Sequence, residues 1–564
     1  MNVLDLVPVI DPRVDINGLR NKTYGIFVGG QQQTWKQFVS TTFDNTQISW
    51  VATPPSPGVY VNRKLYVQMN FTLTFTGQSA GAGIPLLQAS GLPAAPGVNP
   101  GTFQYDAPRA CPLSECFTNA QIQMNNDNIS SNLGSYSRVF QRFARPYDEE
   151  NTDLSMTPAM SDKSQDYNNL LGFNLNPLAA YGDNTVEIPR GGFPGCLITR
   201  NDSTGAPGDI AIVQMVVTEP WWLSPWSFGR NQENVAFIQL QNINVLCQLG
   251  GRGVGPLAGL AGALWSHASN GSVLSSIQAQ VNGGTLLFNY ITPDVLQQLP
   301  PQLTYSYYEP TLYPTGSNIQ IAPGQTTTLV MNNVQLSSVP NRMYIYVAER
   351  DQDNDVTKTN SYFRIDRVNI TYNNQDGLLS NMTINDLYQM YLKNGGNMSF
   401  PQFSFYIGSV VCIGFGSDIP LDPTWAPGLR ITQNLSMTIT CTNVSARPIY
   451  PTLNVLVIQE GVMFIQGNSV MRSIGVLDQS EVLDARGGQP VAYKPSGNFW
   501  GSGFWDDVGS FLKRVGRAGI NAAQAVVPQV APQFTPIISE ADKLARSYGF
   551  GLQPYGLGLG KKKY

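Results

Sequence analysis

Histidine is almost missing from this chain: His267 is the only one in 564 residues. A single imidazole removes most zinc sites and most His-based acid–base chemistry. Charge is scarce too, at 13% Asp, Glu, Lys and Arg, against about 25% in ordinary soluble domains. No stretch approaches the roughly 18 consecutive apolar residues of a membrane-spanning helix. The N-terminus, with Asp5 and Asp11, lacks the basic start and apolar run of a secretory signal. Cys111, Cys116, Cys196, Cys247, Cys412 and Cys441 form no CxxC pair. Most lie in apolar strand-like runs, where a thiol behaves as a small hydrophobe. Cys111 and Cys116 read as two buried thiols in preference to a disulfide or a metal pair. The expectation is a soluble protein made in a reducing, intracellular setting. Sequons such as Asn70-Phe71-Thr72 and Asn434-Leu435-Ser436 are then by-products of Asn/Thr richness.

What replaces charge is Asn, Gln, Ser, Thr, Gly and Pro, on a background of 42% hydrophobic and 10% aromatic residues. That is enough apolar material for a large core, and the length calls for two or more domains. Neutral polar side chains cost less to desolvate than charges, so they suit faces that another protein will cover. The balance of charge is uneven. Residues from Gly501 to Tyr564 carry +4, and the other 500 carry −8. A basic tail on an acidic body suggests a separate task for the tail.

Period-two alternation dominates the body. From Val67 to Thr76, Val67, Met69, Phe71, Leu73 and Phe75 alternate with Gln68, Asn70, Thr72, Thr74 and Thr76, which places one face in a core and leaves the other polar. Similar strands are expected at Ala236–Cys247, Met343–Ala348, Leu435–Thr442 and Leu453–Ile465. Helical periodicity is rare before residue 490, so the body is all-β.

Two short similarities recur in the same order. Arg63-Lys64-Leu65-Tyr66-Val67 matches Asn341-Arg342-Met343-Tyr344-Ile345, each after a Pro-containing turn. Ile122-Gln123-Met124-Asn125-Asn126 matches Ile370-Thr371-Tyr372-Asn373-Asn374. Short helical patterns follow at Tyr136–Arg142 and Ile384–Leu392. The spacing between the two signatures is longer in the first half, which also carries a Gly/Ala/Pro-rich segment at about 78–107. Surface loops accept such insertions because closure entropy grows slowly with length. Two copies of one β-domain explain the pattern, and long unequal loops favour a jelly roll over a small barrel. The expected division is an N-terminal arm (1–30), a first jelly roll (31–299), a linker (300–316), a second jelly roll (317–487) and a tail (488–564).

With the turn and strand of Pro54–Phe75, the turn and helix of Asn373–Leu392, the run Thr218–Phe228 and the strand-then-Pro run Leu286–Pro293, the chain resembles the double jelly-roll major capsid proteins of polinton-like viruses, virophages and their adenovirus-hexon relatives. The resemblance covers most of residues 30 to 480 by pattern and order. It implies two jelly rolls side by side and perpendicular to a shell. Three chains would form a pseudo-hexagonal capsomer, and many capsomers an icosahedron. Implied partners are the chain itself, penton and minor capsid proteins, and the genome or an internal membrane through the tail. No cofactor and no catalysis are implied.

Motifs for chemistry find little support. Gly77-Gln78-Ser79-Ala80-Gly81 matches a nucleophile elbow, but a Gly/Pro-rich loop follows instead of a helix, and His267 would be the sole base. Asp351, Asp353 and Asp355 alternate like an EF-hand loop, yet Val356 and Tyr362 stand where Gly and Glu are needed; a hydrated acidic turn is expected. Gly250–Gly262 lacks the setting of a nucleotide cradle. Trp221, Trp222 and Trp226 are either anchors between subunits or burial inside one roll.

In the tail, Phe504, Trp505, Val508, Phe511, Leu512 and Val515 form one stripe of an amphipathic helix, with Lys513, Arg514 and Arg517 beside it and Lys561, Lys562 and Lys563 at the end. Docking under a shell, binding an internal membrane and neutralising packaged genome are all open for it, as is a plain docked helix. For the whole chain the alternatives to a capsid role are a viral fibre or lectin-like binding protein, and a β-rich hydrolase.

Overall fold

In the computed structural model the described residues, apart from scattered gaps of one to three positions, are 7–9, 25–27, 32–53, 58–79, 83–87, 106–139, 196–226, 236–267, 273–292, 302–356, 362–475 and 477. Met1–Val476 form one compact unit and Leu477–Tyr564 a second, of which all but residue 477 lies outside the described set.

The first half is built on β1 (Gln32–Val39), β2 (Gln47–Ala52), β3 (Tyr60–Ser79), β4 (Phe117–Met124), β5 (Asp127–Ser131), β6 (Ile210–Pro220), β7 (Ile243–Leu249) and β8 (Val273–Thr292). They make two antiparallel sheets ordered β1-β8-β3-β6 and β2-β7-β4-β5, with Cys196–Asn201 added outside β6 and Thr42–Phe43 outside β2.

The second half uses β9 (Gln302–Gly316), β10 (Thr326–Leu336), β11 (Arg342–Glu349), β12 (Arg364–Tyr372), β13 (Gln375–Leu378), β14 (Val410–Gly414), β15 (Gln433–Thr442) and β16 (Pro451–Gln466). Its sheets are β9-β16-β11-β14 and β10-β15-β12-β13, with Ser469–Ile474 beside β16. Adding eight to each label of the first half reproduces the second. The chain therefore contains two jelly rolls of one topology.

Both sequence signatures fall on equivalent places. Arg63–Val67 and Asn341–Ile345 begin the third strand of each roll. Met124 and Tyr372 end the fourth, and Asn-Asn then closes the hairpin to the fifth. Asn125 has φ 55° and Asn373 has φ 45°. A two-residue hairpin loop needs that left-handed backbone, which Asn tolerates because its short amide can bond locally. The third-to-fourth connection runs over 80–116 in the first roll and 350–363 in the second, so the extra segment near 78–107 sits there.

Alternation works as the sequence implies. Leu65, Val67, Met69, Phe71, Leu73 and Phe75 are buried while Gln68, Asn70, Thr72 and Thr74 stay half-exposed. Each large apolar side chain so covered contributes about 1.5–3 kcal/mol. At Gly284 a Cβ would lie 2.7 Å from the Gln68 carbonyl oxygen and 3.0 Å from the Trp50 ring. Only glycine lets the two sheets of the first roll approach there.

Two expectations need correction. Gln302–Gly316 is a strand and not a linker; it pairs with β16 along its whole length. Pro310 and Pro314 suggested a linker, but β9 is an edge strand, and both prolines occupy the same parity. Their missing N–H groups face away from β16, where no ladder bond is lost. The strand expected at Ala236–Cys247 begins only at Ile243. Gln239 stands at φ 64°, which an extended strand excludes, and Phe237 makes only an isolated bridge to Val61.

In the second roll, helix Ile384–Lys393 packs against β14 and buries Leu387, Met390 and Tyr391. A capping box opens it: the Thr383 side chain accepts from the Asp386 backbone, and the Asp386 carboxylate accepts from the Thr383 N–H at 2.8 Å.

Candidate functional site

Two jelly rolls in one chain raise two questions: how the rolls are locked together, and which of their surfaces stay open. Three buried or half-buried arginine clusters cross the junction between rolls. Arg63, at the start of β3, donates to the Pro225 carbonyl at 2.8 Å and to the Ser306 carbonyl on β9 at 3.2 Å. Its guanidinium lies over the rings of Phe237 and Tyr305, 5.2 and 5.7 Å from their centroids. Tyr305 in turn donates to the Ala236 carbonyl at 3.3 Å, and burial pushes its phenol upward. Arg63 is 5% exposed, and a guanidinium survives such burial because its planar fork satisfies several acceptors at once.

The second cluster joins the connections 80–116 and 250–272 of the first roll to the turn after β11. Arg109 donates to the Gly262 carbonyl at 2.6 Å and to the Asp355 carbonyl at 2.8 Å. The backbone amides of Gly253 and His267 donate to the carbonyls of Asp351 and Val356 at 2.9 and 2.7 Å. Buried Arg252 pairs with Glu115. Burial pulls the Arg252 guanidinium down to about 10, against the attraction of Asp351. Buried Glu219 fixes the start of helix Pro112–Cys116, accepting from the amides of Leu113 and Ser114 at 2.7 and 2.9 Å. In the third cluster Arg472 pairs with Asp127 at 2.5 Å and donates to the Tyr307 hydroxyl at 2.8 Å.

These staples were not singled out from the sequence. The signal was present: in so charge-poor a chain, an arginine inside an apolar strand signature, as at Arg63, marks a cation with a dedicated partner.

The sequence-based candidates fare differently. Trp221 and Trp226 are buried inside the single chain, so neither is presented to another subunit. Trp226 packs edge-on against Phe237 and Phe288, at 4.9 and 5.7 Å between ring centroids, which places it beside the Arg63 staple. Trp222 lies outside the described residues. So do the tail residues Phe504, Trp505, Val508, Phe511, Leu512, Val515, Lys513, Arg514, Arg517, Lys561, Lys562 and Lys563.

Ser79 sits in an antiparallel ladder opposite Val273, away from the parallel-sheet setting that a nucleophile elbow requires. His267 is buried in strand Trp265–His267. In the acidic turn, Asp353 pairs with Arg350 at 2.6 Å and the Asp351 and Asp355 carbonyls serve the junction. Among the described residues no group of three or more His, Cys, Asp or Glu is placed to hold a metal ion. Cys116 is a buried free thiol raised well above its ordinary value by burial, and Cys111 lies outside the described residues.

Two family models match the chain: the Sputnik virophage major capsid protein 1st domain over residues 4–253, and the major capsid protein V20 C-terminal domain over residues 310–407. A capsid protein V20 of Sputnik virophage is 27% identical over 548 residues, covering 91% of this chain and 87% of that protein. The cryo-EM structure of the Sputnik virophage superposes with a TM-score of 0.74 at 26% identity, covering 89% of this chain and 99% of that one. The chain is a homologue of the Sputnik virophage major capsid protein. Its role is that of a major capsid protein, and its place is the virion capsid. The mavirus major capsid protein crystal structure shares the fold, with a TM-score of 0.62 at 14% identity, covering 82% of this chain and 93% of that one.

For a capsid protein the uncovered strands are the informative ones. β1 is an edge strand whose side chains are mostly exposed on both faces, including Trp35 and Val39. Cys196–Asn201, the opposite edge of the same sheet, exposes Leu197. Bare edges with apolar side chains invite pairing unless something covers them. The outer faces between those edges carry Thr, Asn and Gln, which a neighbour can cover at low desolvation cost.

Proposed function

We propose that this capsid protein works as a trimer, in which three locked pairs of jelly rolls present six similar units and form a pseudo-hexagonal capsomer that tiles an icosahedral shell. The observation that carries this reading is the repeated strand order of the two halves. One chain then supplies two similar walls, and a threefold axis makes six of them. The arginine staples support it, because a building block that repeats around a shell needs a fixed angle between its walls.

The role is structural, and no residue is assigned to catalysis. The exposed edges β1 and Cys196–Asn201 are assigned to contacts between chains. The basic amphipathic tail is assigned to the inner side of the shell, towards genome or an internal membrane, with penton and minor capsid proteins as further partners. Native mass spectrometry of the purified chain tests this reading: trimers are expected, with hexagonal outlines in negative stain. A monomer that stays inert at high concentration contradicts it. Deleting Gly501–Tyr564 is expected to leave trimers intact and to impair shell assembly or genome retention.

A further inference from the structure

A half-open groove of about 630 Å³ lies on the first roll where β1 stops covering β8. β1 pairs with β8 only from Thr285 to Thr292, so residues 275–283 of β8 have β3 on one side and no strand on the other. Their edge is closed by substitutes. The Ile277 amide donates to the Pro256 carbonyl at 3.0 Å, and the Val281 amide donates to the Asn45 side-chain oxygen at 2.9 Å. Alternation in an antiparallel ladder turns Ala279 the same way as Ile277 and Val281. Its N–H and C=O therefore open into the groove between the two plugs.

The walls around this opening mix neutral polar side chains with aliphatic ones, Leu260 among them, and add one aromatic ring and one carboxylate. Gln278 and Gln280 are exposed and face the same side as Thr74. None of these three side chains bonds to another described residue. The Phe43 ring lies over Gly283, where a Cβ would meet it at 3.6 Å, and is 49% exposed. Asp44 takes three bonds on Oδ1, from the Thr46 amide and hydroxyl at 2.6 Å and the Gln47 amide at 2.8 Å. These bonds hold its carboxyl below the ordinary value and leave Oδ2 for a further donor.

We propose that this groove is a binding site for a neutral saccharide. An exposed ring offers a face for the C–H surface of a sugar, while amides, a hydroxyl, a carboxylate oxygen and one backbone N–H and C=O offer alternating donors and acceptors for its hydroxyls. An added peptide strand fits poorly, because the plugs at Ile277 and Val281 leave it a single residue to pair with. The volume falls within the ~300–1,000 Å³ of small-ligand sites.

The test is saturation-transfer difference NMR on the full-length protein. The probes are glucose, galactose, mannose, N-acetylglucosamine, their β-1,4-linked dimers and a capped hexapeptide of alternating Thr and Val. At least one sugar is expected to receive saturation. Phe43→Ala should weaken its binding by about tenfold. Gln280→Ala should weaken it less, and Ile319→Ala, at an exposed site in the second roll, should leave it unchanged. The proposal is overturned if no sugar receives saturation, if Phe43→Ala and Gln280→Ala both bind as the parent does, or if only the peptide binds. None of these outcomes depends on trimer formation, which the same samples report by mass.

Discussion

The two rolls of this chain share a strand order and differ in what their strands carry at equivalent places. Arg63 and Asn341 occupy the same place in the paired signatures at the third strand. Arg63 reaches across to the second roll, whereas the Asn341 amide donates to Glu460 within its own roll. Asn125 and Asn373 occupy the same hairpin corner. Asn125 also bonds the amides of Gln241 and Asn242, at 2.7 and 3.2 Å, and Asn373 uses its position mainly for its backbone. The core keeps the topology in common; the asymmetry that joins one roll to the other is added at the ends of strands, where a side chain can change its partner without disturbing the ladder.

That comparison can be broken or sharpened by matched substitutions, each followed by urea unfolding. Arg63→Ala leaves the Ser306 and Pro225 carbonyls unserved at a buried site, and a loss of about 4 kcal/mol is expected; Asn341→Ala should lose about 1–2 kcal/mol. If the staples join the rolls, Arg63→Ala also splits one transition into two. Equal losses with a single transition would remove the distinction between the two positions.

Leu65→Ala and Met343→Ala empty equivalent, fully buried sites. Each should cost about 3 kcal/mol, and a large inequality would deny the structural repeat. Asn125→Gly keeps the left-handed backbone but drops its side-chain bonds, costing about 2 kcal/mol, while Asn373→Gly should be close to neutral.

The smallest effect belongs to the capping box of helix Ile384–Lys393. Bonds from the Thr383 amide and hydroxyl hold the Asp386 carboxyl below its ordinary value. Its folded value lies under its unfolded one, so its contribution is present at neutral pH and fades as pH falls through the acidic range. Thr383→Ala should therefore lower Tm at pH 7 and have less effect near pH 2–3.

Much of this architecture could be read in the residues. The alternation at Val67–Thr76 gives a strand with one buried face because pleating puts successive side chains on opposite sides. The paired signatures locate the same strand start and the same Asn-Asn corner because both depend on local geometry. β9 was missed because Pro310 and Pro314 break ladders in general, and only tertiary context reveals that their side of the strand is an edge. The junction was missed for a related reason. Arg63 meets Ser306 and Arg472 meets Asp127 across long separations, which no local pattern records. The tryptophans were legible as a cluster but not as buried, since periodicity cannot tell a covered turn from an exposed one.

Cryo-EM of particles assembled from the purified chain bears most directly on the claim that two locked rolls form one building block for a shell. Capsomers of three chains with six superposable walls are predicted, the Arg63, Arg109 and Arg472 contacts intact within each chain and β1 covered by a neighbour. Rolls found at variable angles to one another, or β1 facing solvent throughout the assembly, would contradict it.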